Sequence, residues 1–591
     1  MIDRRSKRDL ALLLIPMLGV AVLEMVSLGM IIPVIQVVLF GSEAGGAYAD
    51  ILDRIVPAGG SDADRRLAVS IAFCALFAIK SLLLFGMIFL INRTVYRKVT
   101  KFTADMFSLY MRRPLRFHLE RNNAELLRNL TSGASLTFEA VRHVLMIALE
   151  SFLMGAAILF LFLVEPMVTL LMAGVLGVVA IMLYKVAAPI FRHWGTQQQA
   201  LEGTMIKWIV QSFSSIRDVK LFGSYSFLDA RFRSVVGQRA RYQTFSVSSL
   251  HVPRLILETI VVVGFMMLIG VMVNAGSSRE QIVATLGVFG MAAIRILPSL
   301  NRILSSGAEL RQRSAYIDTL YDDWRDGLAD GEADAPPNGT SPIAFEREIS
   351  IGGVDFSYPE ANRPALHSID LKIRKGESVG FVGPSGSGKS TLMDVVLGLI
   401  EPERGGVSSD GTDIAADRPG WRMRIGFVPQ QIYLLDDTVR RNIAFGVPDE
   451  EIDETRIASA ISMSHLEEVV SALPKGADTE IGEQGTRLSG GQCQRIAIAR
   501  ALYHDPDILV FDEATSALDT VSEAEITRAI DSLAGSRTVL IIAHRLGTVK
   551  SCDRIVFIHD GRIADQGSFD ELASRNPNFA ELAAIEPETA A

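Results

Sequence analysis

The sequence predicts two fold classes in tandem: an all-α membrane domain of six helices, then an α/β domain organised around a glycine-rich loop. Three observations predict it. Hydrophobic residues make up 49% of the 591-residue chain, a share that points to a membrane part. Six apolar runs fill residues 10–304, each close to the roughly 20 residues a bilayer core needs per helix. From about residue 345, short apolar strands alternate with helices, the pattern of an α/β fold.

The first run, about 10–40, follows a basic patch of Arg4, Arg5, Lys7 and Arg8. It is too long for the apolar region of a signal peptide and lacks a small-residue cleavage site, so it reads as the first membrane helix. The others lie at about 67–91, 143–164, 167–184, 252–273 and 282–304, with only Glu165-Pro166 between the third and fourth. Basic residues cluster before the first run, after the second (Arg93, Arg97, Lys98, Lys101, Arg112, Arg113) and after the fourth (Lys185, Arg192, Lys207, Arg217, Lys220). This asymmetry places both termini in the cytoplasm. Residues 47–56 read as a short amphipathic helix on the outer face, with Tyr48, Ile51, Leu52 and Ile55 on one side. The connections after the second and fourth runs keep a helical pattern and extend into the cytoplasm, with short helices expected near 113–122 and 216–227. The membrane domain is expected over 1–325, an acidic Pro/Gly-rich linker over 326–344, and the α/β domain over 345–585.

The formal net charge is −9, and most acidic residues follow Tyr321, which leaves no basic surface for nucleic acid. Cys74, Cys493 and Cys552 are sparse, odd in number and without metal-ligand spacing, so neither a disulfide framework nor a zinc site is expected.

The strand at 378–382 runs into Gly383-Pro384-Ser385-Gly386-Ser387-Gly388-Lys389-Ser390-Thr391 and then a helix. Glycines let backbone N–H groups close around a phosphate, Lys389 reaches the β- and γ-phosphates, and Ser390 is placed for Mg²⁺. A second apolar strand, 508–511, ends in Asp512-Glu513. Asp512 suits Mg²⁺ and Glu513 suits polarising an attacking water.

With Leu488-Ser489-Gly490-Gly491-Gln492 the sequence resembles the ABC ATPase family, whose signature is this pentapeptide. The rest of the family pattern also matches, and the resemblance implies the following roles. Tyr358 stacks on adenine, Gln430 lies near Mg²⁺ and the water, Ser516-Ala517-Leu518-Asp519 forms the D-loop, and His544 contacts the γ-phosphate. Glu480-Ile481-Gly482-Glu483 meets the membrane domain. Cys493 stands where basic or amide residues are usual and is expected to face outward with little effect. ATP-binding contacts are expected from Tyr358, Gly383, Ser385, Gly386, Gly388, Lys389, Ser390, Thr391, Ser489, Gly490, Gly491, Gln492 and Asp519. Mg²⁺ contacts are expected from Ser390, Gln430 and Asp512, and catalytic roles from Glu513, His544 and Gln430. In this family the loop of one subunit and the signature of another enclose one ATP. All elements are intact here, which favours a homodimer.

Six membrane helices followed by the ATPase resemble the ABC exporter architecture. Ionisable residues inside apolar runs are expensive and mark functional positions. They are Glu24, Lys80, Arg254, Glu258, Arg295 and Arg302. Arginines suit multidentate binding of phosphate oxygens, so Lys80, Arg254, Arg295 and Arg302, doubled in a dimer, are expected to line a positive cavity. The alternative is that they pair with Glu24 and Glu258. The strings 252–258 and 295–303 make the membrane half resemble bacterial ABC flippases for lipid-linked oligosaccharides, of the PglK type. That resemblance implies handling of a pyrophosphate at these four positions and a bacterial inner-membrane location among membrane lipids. The expectation is thus an ATP- and Mg²⁺-dependent homodimeric flippase of a pyrophosphate-linked lipid glycan. Its rivals are an exporter of another amphiphile (lipid A core, phospholipid or drug) and a membrane ABC ATPase that regulates without transporting.

Overall fold

The structure, a computed structural model, describes residues 4–30, 34, 62–164, 166–276, 278–329, 343–358, 363–482, 485–513, 520–543 and 545–585. It divides into two compact units, one of Met1–Met111 with His118–Gly331, the other of Arg112–Phe117 with Glu332–Ala591.

The first unit is helical throughout its described residues. Helices α1 (Arg4–Leu12) and α2 (Leu14–Gly29) are followed by α3 (Asp62–Met111), α4 (Leu115–Glu120) and α5 (Asn123–Arg128). Next come a π-turn (Asn129–Gly133), α6 (Ala134–Val164), α7 (Pro166–Ser214), α8 (Ile216–Phe222), α9 (Tyr225–Ser249), α10 (Val252–Asn274) and α11 (Arg279–Ala329). Among the described residues, five stretches are long and apolar enough to cross a membrane: Lys7–Gly29, Arg66–Met111, Asn123–Val164, Thr169–Ser214 and Tyr225–Asn274. The remaining expected run, 282–304, lies within α11. The short helices expected near 113–122 and 216–227 are α4 and α8. The helix expected at 47–56 and most of the linker lie outside the described residues.

Local sequence explains several boundaries. Pro166 opens α7, where its missing N–H would be unpaired in any case. Gly223 ends α8 in the left-handed region, φ 59°, its N–H bonded to the Val219 carbonyl. Pro189 and Pro298 sit inside α7 and α11, tolerated because neighbouring helices can re-satisfy the freed backbone groups. α7 and α11 approach so closely at Gly195 that a Cβ there would overlap the Gln312 carbonyl. Leu176, Ala180, Leu257, Val261, Leu300 and Leu304 form an apolar core between α7, α10 and α11.

The second unit holds two sheets. β1 (Glu348–Phe356), β2 (Leu366–Arg374), β4 (Arg404–Ser409) and β5 (Thr412–Asp413) form an antiparallel sheet in the order β2-β1-β4-β5. β3 (Ser378–Val382), β6 (Ile425–Val428), β7 (Ile508–Asp512), β8 (Thr538–Ile542), β9 (Arg554–His559) and β10 (Arg562–Gly567) form the other, in the order β10-β9-β3-β8-β7-β6. All its pairs are parallel except β9–β10. All five residues of β3 and of β8 are buried, which is why they read as continuous apolar runs rather than alternating ones. Phe381, Phe511, Phe557 and Trp421 are fully buried, and the Trp421 indole donates to the Val396 carbonyl at 2.8 Å.

Candidate nucleotide site and membrane ion pairs

The carboxyl ends of the parallel strands assemble the site. β3 leads into the glycine-rich loop and then into helix α12 (Lys389–Val396), whose N-terminus opens on the loop. β8 lies between β3 and β7, so β7 delivers Asp512 and Glu513 one strand away from it. Glu513 takes φ 49° and its N–H bonds to the Ile542 carbonyl at 3.0 Å.

Two glycines are dictated by geometry. At Gly388, φ is 102° and a Cβ would lie 2.5 Å from the Ala365 carbonyl oxygen. At Gly383, φ is 154° and a Cβ would overlap the Ile558 carbonyl. The loop is thereby closed against β2 and β9, with its hollow facing a cavity of about 770 Å³. That cavity is lined by residues 385–391, Tyr358, Gln430 and Glu513, and also by Arg363, His367 and Asp560. The last three were not singled out from the sequence, because nothing in their spacing carries a phosphate-binding signal.

Lys389 is buried, and its ammonium donates to the Gly383 and Pro384 carbonyls at 2.8 and 3.1 Å. Burial pushes its pKa below the usual lysine value, opposed by the Glu513 and Asp512 carboxylates. Ser387 Oγ is buried without a hydrogen-bond partner. A hollow edged by this hydroxyl, the ammonium and a helix N-terminus is a cradle for phosphate oxygens. Tyr358 OH lies 3.2 Å from Thr391 Oγ1, so the ring stands beside the loop. Gln430 donates to the Glu513 carboxylate. Burial, reinforced by Asp512, pushes Asp394 on α12 up to about 6.

The pentapeptide begins helix α13 (Gly490–Leu502). Ser489 caps it, its Oγ accepting from the Gln492 N–H at 3.3 Å while Gln492 Oε1 accepts from the Ser489 N–H at 2.9 Å. This reciprocal capping box fixes the helix start. Ser489 and Gly490 are exposed, and no residue of 488–492 lines the nucleotide cavity of its own chain. Cys493, expected to face outward, is instead half-buried, with its thiol against the Gly485 carbonyl at 3.8 Å. Gly485 (φ 70°) lies against that side of the helix, where a Cβ would meet the Cys493 sulfur at 2.9 Å. His544, Glu483 and residues 516–519 lie outside the described residues.

In the membrane unit, three of the four expected basic residues meet carboxylates. Lys80 Nζ, partly buried, is 3.3 Å from the buried Glu24 carboxylate, and also lies over the Phe77 ring at 4.1 Å. Arg254 pairs with Glu258 at 2.7 Å in an exposed position one turn along α10. Arg302 pairs with Glu150 on α6 at 2.8 Å, with Glu150 almost wholly buried and Arg302 half-exposed. The positive character expected of these positions is therefore largely compensated. Glu150 was not singled out from the sequence. Arg295 lies on α11, and its side chain is outside the description.

Comparison with known proteins follows the same division. The family described as "ABC transporter" matches residues 366–516, and "ABC transporter transmembrane region" matches residues 37–288. An "ATP-dependent lipid A-core flippase" of Cupriavidus metallidurans is 31% identical, covering 91% of this chain and 90% of that protein. A protein of the same description from Saccharophagus degradans is 33% identical over 82% and 81%. A solved structure, "Structure of a bacterial Atm1-family ABC exporter with ATP bound", has a TM-score of 0.81 at 26% identity over the full length of both chains.

Proposed function

The chain belongs to the ABC transporter family as an exporter-type half-transporter, its helical membrane domain fused to an ATPase domain, and on that premise we propose that it is a homodimeric, ATP-driven flippase of an anionic, acylated amphiphile of the lipid A-core class. ATP hydrolysis coupled to transport, with Mg²⁺, is general to the family, and half-transporters of this kind function as dimers.

The observation that carries the substrate reading is the pairing of Lys80 with Glu24, Arg254 with Glu258 and Arg302 with Glu150. Compensated charges favour a ligand held largely by its apolar chains, with a few ionic contacts at the headgroup, over one held by an uncompensated positive chamber. The lipid A-core flippases among the relatives support the same choice. A pyrophosphate-linked lipid glycan is the second reading, favoured by the half-exposed guanidinium of Arg302 and by Arg295.

In this reading Lys389, the loop 385–391 and Tyr358 hold the nucleotide. Ser390, Gln430 and Asp512 hold Mg²⁺, which neutralises phosphate charge when bound. Glu513, oriented by Gln430, takes the proton of the attacking water, and His544 contacts the γ-phosphate. A loop and a signature separated within one chain support two sites shared between two copies, each ATP also meeting Ser489, Gly490, Gly491, Gln492 and Asp519 of the other. The exposed apolar tip around α8, with Leu221 77% and Phe222 73% exposed, also fits a surface covered in a dimer. Domain boundaries are placed at 325 and 345, with both termini and the ATPase domain on the cytoplasmic side of a bacterial inner membrane.

The test is ATP-driven flipping in proteoliposomes, comparing a lipid A-core lipid with a short pyrophosphate-linked lipid glycan, for wild type and Glu513→Gln. Movement of the first lipid only, lost in the variant, supports the reading. Movement of the glycan only transfers the assignment to the second reading.

A further inference from the structure

We propose that Asp323 is a positioning residue that fastens both ends of the loop Arg112–Phe117 to α11, so that the loop and the last membrane helix move as one. The inference rests on the reading of the chain as a transporter.

Asp323 lies near the end of α11, only 3% exposed. A buried carboxylate is costly unless its lone pairs are filled, and here both oxygens are engaged. Oδ2 accepts from Tyr110 OH at 2.6 Å and from Asn129 Nδ2 at 3.0 Å, while Arg121 NH2 lies 3.0 Å from Oδ1. Asn129 Nδ2 also lies 3.2 Å from Tyr110 OH. These partners come from three places, the end of α3, the stretch after α4 and the π-turn, and they converge on α11.

The order of these residues along the chain gives the arrangement its meaning. Residues 112–117 group with the ATPase unit, while the residues on either side of them group with the membrane unit. Tyr110 stands two residues before the chain leaves the membrane unit, and Arg121 stands four residues after the chain leaves the ATPase unit. Both reach the same carboxylate. The base of the loop is closed a second time by His118 Nε2 on the Tyr110 carbonyl at 3.0 Å. A displacement of the loop must either carry α11 with it or strip partners from a buried charge. The π-turn holding Asn129 adds a local irregularity of the kind that recurs at functional positions. A packed polar cluster with such an all-or-none cost transmits motion instead of absorbing it.

Helix α11 supplies its own control. Two turns before Asp323, Tyr316 OH donates to the buried Glu202 of α7 at 2.6 Å. That bond is equally short and buried but does not involve the base of the loop.

The experiment uses the full-length protein in lipid nanodiscs, with a spin label on the exposed Cys74 in a Cys493→Ser background. The distance between the two labels of a dimer is measured without nucleotide and with ATP plus vanadate, alongside ATP hydrolysis. Asp323→Asn and Arg121→Gln are expected to hydrolyse ATP within about twofold of wild type, yet to reduce the nucleotide-driven population shift by roughly fivefold or more. Arg121→Lys is expected to restore part of the shift, and Tyr316→Phe to behave as wild type. Tyr110→Phe removes the hydroxyl's bonds to Asp323 and Asn129 but no charge, and carries the test if Asp323→Asn does not fold. A wild-type shift in Asp323→Asn or, failing that, in Tyr110→Phe overturns the proposal. An equal loss in Tyr316→Phe also overturns it, because the effect would then belong to helix packing in general. A wild type whose labels ignore ATP overturns the transport reading underneath.

Discussion

The Gln430 side-chain amide donates to the carboxylate of Glu513, so the loop leaving β6 is tied to the acidic end of the neighbouring strand β7. The two strands pair in parallel with Val428 opposite Phe511. That register brings residues 83 positions apart within hydrogen-bond reach. Glu513 is held further by its φ of 49° and by its N–H bond to Ile542. In the proposed role of general base Glu513 must be aimed before it can act, and the Gln430 contact supplies such an orientation.

Replacing Glu513 by Gln keeps the shape but removes the charge proposed to accept the water's proton. ATP binding is expected to stay within about threefold of wild type, while hydrolysis falls by about 10²- to 10⁴-fold, the usual worth of a general base. Phosphate release and nucleotide binding, measured on one preparation, check this. Wild-type turnover would move the assignment of base away from Glu513.

Gly388→Ala combines a left-handed backbone with a Cβ 2.5 Å from the Ala365 carbonyl oxygen. Neither the backbone of β2 nor that of the loop can yield without opening the cradle. ATP affinity is expected to fall by at least about tenfold, and the ATPase domain to lose roughly 1–3 kcal/mol of stability from strain. Gly386→Ala is a useful contrast: its φ is 78°, but a Cβ there meets nothing within 4 Å. It should cost only the left-handed strain. Nucleotide titration and thermal unfolding separate the two.

The cysteines give a pH-dependent readout. Burial, assisted by the Asp531 and Asp553 carboxylates, pushes the Cys552 thiol up to about 12, whereas a cysteine in the unfolded chain ionises near 8.5. The folded form therefore holds a proton that the unfolded form releases. The corresponding stability is fully present below about pH 8.5 and is lost as pH rises toward 12. Maleimide at pH 8 is expected to reach Cys552 only after denaturation. Rapid labelling of Cys552 in the native ATPase would contradict its burial.

How much of this was legible in the sequence depends on how far each feature reaches along the chain. The phosphate loop was legible because its demands are local: Gly388 and Lys389 work within nine residues of a strand and a helix start. β3 and β8 were legible because strands covered on both faces are continuously apolar. Glu24 and Glu258 are legible as partners for the basic residues because acids stand out inside apolar runs, but that Glu24 meets Lys80 follows only from the packing of α2 on α3. Glu150 lies in such a run too, but only the packing of α6 on α11 connects it to Arg302. Asp323 was invisible for the same reason: its partner Tyr110 is 213 residues away, and an acid near a helix end ordinarily reads as solvated. Cys493 departs from the outward position expected of it because the helix pattern alone does not reveal that Gly485 packs against it.

The pair Lys80–Glu24 decides between a structural and a substrate-binding role for the basic residues of the membrane domain. Lys80→Met alone takes the ammonium away from the Glu24 carboxylate, which is only 2% exposed. Removing one partner of a buried pair costs about 3–5 kcal/mol, whereas replacing both by apolar residues of similar volume is close to neutral. Lys80→Met is therefore expected to lower the unfolding temperature, and the double variant Lys80→Met/Glu24→Met to recover most of it. Transport then separates the roles. A pair that only joins α2 to α3 leaves the double variant flipping a lipid A-core lipid near the wild-type rate. A Lys80 that contacts an anionic headgroup leaves it stable, active as a basal ATPase, and unable to flip. The lipid A-core reading, with most affinity in the acyl chains, expects a loss of at most about tenfold, one ionic contact's worth. The pyrophosphate reading expects flipping to disappear, because its substrate has few other polar partners to hold it.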